Sequence, residues 1–273
     1  MAISDVSLTA GMRSNLLQLQ NTSAQIAKTQ QRLSTGKQVN SALDNPTNFF
    51  ASQAAVNRAN DFSSRKDGMG EAIQNVKAAD AGITAITSLV TAAKGLAEAA
   101  LGTTSTTDRA SFATQYGTLQ TQITQLASDS GYRGTNLLGT ANNTLTVNFN
   151  EDASSKVVVT GFDASATGLS INTTSNAWAA TSDITLDQGK MDTAITQLRN
   201  QSKSLAGNMN IITTRQSFTD SMINTLQTGS DNLTLADMNQ EGANMLTLQT
   251  RQSLGTTALS LSSQAAQSVL RLF

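Results

Sequence analysis

MRSNLLQLQNTSAQIAKTQQRLSTG, residues 12–36, carries a repeat built from a few apolar side chains in a polar stretch. Met12, Leu16, Leu19, Ser23, Ile26, Gln30 and Leu33 fall at alternating spacings of four and three. That spacing holds one side chain per half-heptad on a single seam of a helix and predicts a partner helix. The far end of the chain supplies a matching pattern. Met238, Met245, Gln252, Leu259, Ala266 and Phe273 recur every seven residues, and Leu248, Gly255, Ser262 and Val269 fill the second stripe. Two terminal helices seeking partners predict a protein whose task is association.

The interior extends the same theme. Phe62, Met69, Val76, Ile83, Val90 and Ala97 recur every seven residues after a helix start at Asn45-Pro46. Ala72, Ala79, Ile86, Ala93 and Ala100 occupy the second seam, so this long helix approaches its neighbours closely. A third helix, capped by Asp108, shows Phe112, Tyr116, Leu119, Ile123 and Leu126 on one face. A fourth, from about Leu186 or Asp187, carries a seam of Met191, Ile195, Leu198, Ser202, Leu205, Met209, Ile212, Gln216, Thr219, Ile223 and Leu226. It is expected to break at Gly229–Asn232, with the last helix following from Leu233. Between helices three and four the period changes. Leu145, Val147 and Phe149 alternate with polar residues, Val157–Val159 form a second strand, and Leu169 with Ile171 a third. The expected fold is mainly α: a long antiparallel helical bundle or coiled coil with both termini paired, plus a small β-hairpin-like central projection.

Composition removes whole classes of function. The chain has 273 residues, no Cys and no His. Cysteine nucleophiles, Ser-His-Asp triads, His-containing zinc sites and disulfides are therefore excluded. No catalytic residue, cofactor site or metal site is expected. Glu151 and Asp152 are adjacent and read as a solvated turn rather than a catalytic pair. Charged residues make up 14% of the chain and the formal net charge is -1. So neutral a surface has no electrostatic footprint for nucleic acid and little repulsion between copies. The start MAISDVSLTAG lacks a basic, apolar leader, and no run is apolar enough to insert in a membrane.

Several stretches resemble bacterial flagellin. Arg32-Leu33-Ser34-Thr35-Gly36, continued by Asn40-Ser41-Ala42-x-Asp44, is similar to the family's R-L-S-[ST]-G and I/V-N-S-A-x-D patterns. The tail from Ala236-Asp237 through Asn244-Met245 to Gln267-Ser268-Val269-Leu270 and Leu272 resembles the family's ending. GYRGTNLL, residues 131–138, is similar to its turn after the third helix. Asn45-Pro46 departs from the pattern.

The resemblance implies a structural subunit, not an enzyme, that polymerises into the extracellular flagellar filament as a helical homopolymer. It implies a terminal domain of residues 1–36 and 233–273, a helical domain of 37–140 and 183–232, and a β-rich surface segment of 141–182. The polymerisation seam would comprise Met12, Leu16, Leu19, Ile26, Leu33, Met238, Met245, Leu248, Leu259, Val269 and Phe273, with terminal helices that fold on assembly. Implied partners are other copies, the flagellar export apparatus with a secretion chaperone, and hook-associated and cap proteins. Export would need no cleaved signal peptide.

The family's Toll-like-receptor pattern is degenerate here, at Ala92, Lys94, Gly95 and Leu96, with Ala93 between. Two alternatives stand beside this reading: a hook–filament junction protein, and a surface carbohydrate-binding protein. The second would use Trp178 with Phe149, Phe162, Asn142, Asn143, Asp152 and Asp163. The competing reading of Trp178 is that it covers the small β core.

Overall fold

The computed structural model describes residues 10–139 and 143–270. It contains α1 (Ala10–Thr35), α2 (Pro46–Leu101), α3 (Thr106–Asp129), β1 (Thr144–Asn148), β2 (Lys156–Thr160), α4 (Thr181–Thr234) and α5 (Met238–Leu270). A short 3-10 turn, Ser175–Trp178, precedes α4. Two compact units result: unit 1 comprises 1–57 and 225–273, and unit 2 comprises 58–224.

Unit 2 holds the hydrophobic core. All eleven residues of the α2 heptad seams, from Phe62 to Ala100, are buried. Those from Met69 onward pack with Tyr116, Ile123 and Ala127 of α3 and with Met191, Leu198, Leu205 and Ile212 of α4. Charged pairs fix the antiparallel register of α2 and α4: Lys66–Asp220 at 2.8 Å and Lys94–Asp192 at 2.6 Å. Between them, Ser202 donates to Asp80 at 2.7 Å. Gly82 permits a close approach between α2 and the turn after α3. A Cβ there would lie 2.7 Å from Leu138 Cδ1 and would also collide with Ser130. The 131–138 turn uses that space to bury Leu137 and Leu138, while Asn136 Nδ2 donates to the last carbonyls of α3, Ala127 and Ser128.

The β element is a two-stranded antiparallel hairpin in which Val147 faces Val157 and Leu145 faces Val159. Arg58 pairs with Glu151 at its tip at 2.8 Å, and the Arg215 guanidinium lies over the Phe149 ring. Glu151 is thus partnered rather than simply solvated. The expected third strand is absent among the described residues. Leu169 and Ile171 are buried in turns, and the Ile171 carbonyl accepts from Tyr116 and Gln120 of α3 instead of from a neighbouring strand.

Helix ends follow local chemistry, with three departures. α1 stops at Gly36 (φ 71°), whose N–H donates to the Arg32 carbonyl, and α2 begins with Asn45 accepting from Asn48 N–H. The cap of α3 is Ser105, not Asp108; the Ser105 hydroxyl accepts from the Asp108 N–H at 3.2 Å. α4 begins at Thr181, ahead of the expected start, because the Asp183 carboxylate accepts from the Ala180 N–H. Gly229–Asn232 does not interrupt α4. Buried Ser230 meets Ser52 at 2.8 Å, and that tertiary packing offsets the ~1 kcal/mol cost of a helical glycine. The break falls at residues 235–237, where Asp237 caps α5 by accepting from Asn239 and Gln240.

Candidate functional site: the terminal helix pair

Unit 1 brings the chain ends together as an antiparallel pair of α1 and α5. Arg32 donates to Glu241 at 2.8 Å, and a Cβ on Gly255 would stand 3.2 Å from Leu19. Glycine therefore lets the helices approach where leucine crosses. The two connectors clasp in a short antiparallel bridge, Lys37 with Leu235, in which Gln38 and Val39 donate to the Thr234 carbonyl.

The seam on α1 differs from the expected one in its second stripe. Met12 is buried, and Leu19, Ile26 and Leu33 are half-buried, as the heptad predicts. Their companions are Asn15, Thr22 and Thr29, each one residue before Leu16, Ser23 and Gln30. Thr22 and Thr29 are both 7% exposed, whereas Leu16 is 38% exposed. Threonine fits this narrow seam because its hydroxyl can be satisfied within its own helix, as Thr22 does on the Gln18 carbonyl. On α5, Leu248 is buried and Met245 and Leu259 are half-buried, but Met238 is 47% exposed. The Val269 side chain and Phe273 lie outside the described residues, as does Asn142.

A second apolar face on α5 escaped the heptad reading. Leu246, Leu254 and Leu261 are each more than 60% exposed. Spacings of eight and seven keep them on one side of the helix, away from the Glu241–Leu248–Gly255 stripe. Alternating leucines outside the heptad were the available signal. Exposed apolar side chains concentrate in unit 1: Leu16, Leu17, Leu43, Phe50, Val56, Leu235 and Met238 join these three, against Val158, Leu186, Ile211 and Phe218 in the larger unit 2. The contiguous hydrophobic core, in contrast, runs from Met69 to Ile212 and lies wholly in unit 2.

The residues suited to a sugar platform are turned inward. Trp178 is fully buried and stacks on Tyr116 with ring centroids 5.2 Å apart. Phe149 is buried and Phe162 half-buried. Asp187 lies beneath the tryptophan with a side chain that is 0% exposed. It accepts from Trp178 Nε1 at 2.9 Å, Ser175 N at 2.8 Å and Ser175 Oγ at 2.7 Å, and pairs with Lys190 at 2.9 Å. Burial alone would raise its pKa. The bonds from Lys190, Ser175 and Trp178 outweigh that and hold it below the usual carboxylate value. Burial pushes the Tyr116 hydroxyl up to about 12. These contacts hold Asn176, Ala177 and Trp178 in three successive left-handed conformations, at φ 43°, 48° and 60°. Trp178 is therefore a core residue, and the polysaccharide reading loses its aromatic face.

On the receptor-pattern stretch of α2, Ala92 and Gly95 are exposed and Leu96 is half-buried. Lys94 is occupied by Asp192, whose hydrogen bond raises its pKa.

A family model, the bacterial flagellin N-terminal helical region, matches residues 6–143. Flagellin FljM of Caulobacter vibrioides is 30% identical over 276 residues, spanning 100% of both chains. This chain belongs to the flagellin family. A flagellin of Brucella melitensis is 28% identical to it over 93% of this chain and 94% of its own. The solved flagellin of Bacillus cereus is similar to this flagellin over 56% of its length and 88% of that chain, at 17% identity and a TM-score of 0.49. Membership rests on the full-length sequence matches.

Proposed function

We propose that the α1/α5 pair is the polymerising element of this flagellin and becomes fully ordered only when neighbouring copies bury it. The chain is a structural subunit of the extracellular bacterial flagellar filament and not an enzyme. One observation carries the proposal: among the described residues, no side chain of α1 or α5 belongs to the contiguous hydrophobic core. Among the buried side chains of α1, two of three are threonine. So little apolar burial is set against an ordering cost of roughly 1–2 kcal/mol per residue. Segments 1–36 and 233–273 serve as the polymerising domain, with Leu16 and Met238 available to other copies. Residues 37–140 and 183–232 form the helical domain, and 141–182 the surface segment. Passage through the flagellar export apparatus with a chaperone, without a cleaved signal peptide, and contact with hook-associated and cap proteins belong to the same reading.

Backbone amide exchange tests it. Residues 10–35 and 238–270 should exchange at least about a hundredfold faster in monomer than in filament, while α2–α4 amides of unit 2 stay protected in both. Strong protection of both ends in the monomer contradicts the proposal.

The same surface chemistry bears on host recognition. Ala92 and Gly95 offer no charged anchor, and Lys94 is already paired. A Toll-like-receptor reporter should respond to this flagellin at least about thirtyfold more weakly than to one carrying the Arg-rich pattern, since paired charges at interfaces contribute about 2–5 kcal/mol. Equal potency would refute this.

A further inference from the structure

The connector between α1 and α2 holds a leucine in the open. Leu43 is 97% exposed, the most exposed of the large apolar side chains among the described residues. Its surroundings are nevertheless tightly built. The Asp44 carboxylate accepts from Asn40 N and Ser41 N at 3.2 Å and from Ser41 Oγ at 3.3 Å. Asp44 N–H returns a bond to the Ser41 carbonyl at 3.1 Å, and Lys28 of α1 pairs with the same carboxylate at 3.1 Å. Asn40 Nδ2 closes on the Lys37 carbonyl at 2.8 Å. Buried Val39 and the bonds to Thr234 tie down the base of the turn.

Such a turn fixes the direction of its apex without using the apex to fold. An apolar side chain presented on a rigid backbone loses little freedom when it is covered, which is the property of an interface anchor. Asn40, Ser41 and Asp44, the residues that shape the turn, are those the N-S-A-x-D pattern specifies; Leu43 stands at the position it leaves open. We propose that Leu43 is a knob by which one copy of this chain seats against the next. The proposal rests on the filament reading above, and three further observations favour a second copy as the occupant. The surface carries little charge to hold copies apart. Leu235, across the connector bridge, and Met238 and Phe50 nearby in sequence are exposed apolar residues of the same unit. The turn is also continuous, through Lys28 and Asp44, with the α1/α5 pair that carries assembly.

The test uses full-length protein elongating filament seeds. Leu43→Ser should leave the monomer's circular dichroism and thermal unfolding unchanged. It should raise the critical concentration for elongation about tenfold, the equivalent of losing one well-buried leucine, and Leu43→Met should restore it. Because the chain has no cysteine, Leu43→Cys accepts a single benzophenone label. Illumination should then give covalent dimers from filaments and none from monomer at equal concentration. An unchanged critical concentration for Leu43→Ser, or no cross-links between copies in filaments, overturns the proposal while leaving the filament reading intact. Failure of the unmodified chain to elongate any seed overturns both.

Discussion

Deleting residues 1–35 and 238–273 together is expected to leave a protein that folds around the Met69–Ile212 core but elongates filament seeds at least about a thousandfold less well than the full chain. The reasoning is one of area. Leu246, Leu254 and Leu261 stand exposed on α5, and Leu16 and Leu17 on α1. Burying one leucine fully stabilises an assembly by about 1.5–3 kcal/mol. Three or four such burials exceed the ~4 kcal/mol that a thousandfold change requires, and the shortened chain forfeits all of them. The shortened chain should keep cooperative unfolding and a buried Trp178, because the residues around that indole lie in unit 2. Seeded elongation followed by light scattering gives the answer. A truncated chain that elongates at the full-length rate would transfer assembly to the helical bundle.

Asp187→Ala is expected to destabilise unit 2 by about 3–5 kcal/mol, the usual consequence of removing one partner from a buried ionic cluster. The substitution strands the Trp178 indole N–H and the Ser175 backbone N–H and takes the carboxylate from the Ser175 hydroxyl and from Lys190, which keeps only its 3.3 Å bond to Ser175 Oγ. Each buried donor left without a partner carries its own desolvation cost. The left-handed run at residues 176–178 also loses what holds it. Because Trp178 is the only tryptophan, its fluorescence during denaturant unfolding reports this site directly. Asp152→Ala, in the exposed hairpin turn, provides the contrast and should move the unfolding midpoint far less, since Asp152 gives up only solvated bonds from Ser154.

The pH dependence follows from the same carboxylate. Its folded pKa lies below the unfolded value of about 3.9. The unfolded state therefore binds the proton more readily, and the stabilisation is fully present above about pH 4. It is lost as pH falls through the folded pKa. The acid limb of Trp178 fluorescence should flatten in Asp187→Asn, whose amide does not titrate. An identical acid limb in the variant would assign the transition to other carboxylates.

The parts of this fold that could be read from sequence are those where apolar residues do the packing. On α2, from Phe62 to Ala100, large residues and alanines alternate at heptad spacing and every one is buried. α1 was harder, because its second stripe is made of Asn15, Thr22 and Thr29. Hydropathy places threonine on the surface, so the apolar Leu16 was the natural choice for a position that faces outward. Ile171 read as a strand residue because β-branched side chains suit strands; its carbonyl is claimed by Tyr116 and Gln120, more than fifty residues earlier in the chain. Asp187 was legible only as a residue at a helix start. Its partners at 175, 178 and 190 converge on it through a backbone turn that no local pattern announces.

The ion pairs along the bundle have a mechanical consequence. Lys66 and Lys94 on α2 are separated by the same number of residues as Asp192 and Asp220 on α4, four full heptads on each. Each pair is partly solvated and adds little to stability by itself. Their common spacing spans ~40 Å of rod at about 1.5 Å per residue. Sliding one helix along the other by a heptad would leave the packing periodic but mismatch both rungs at once. Held at both rungs, the rod resists axial slip between its two helices along that whole span.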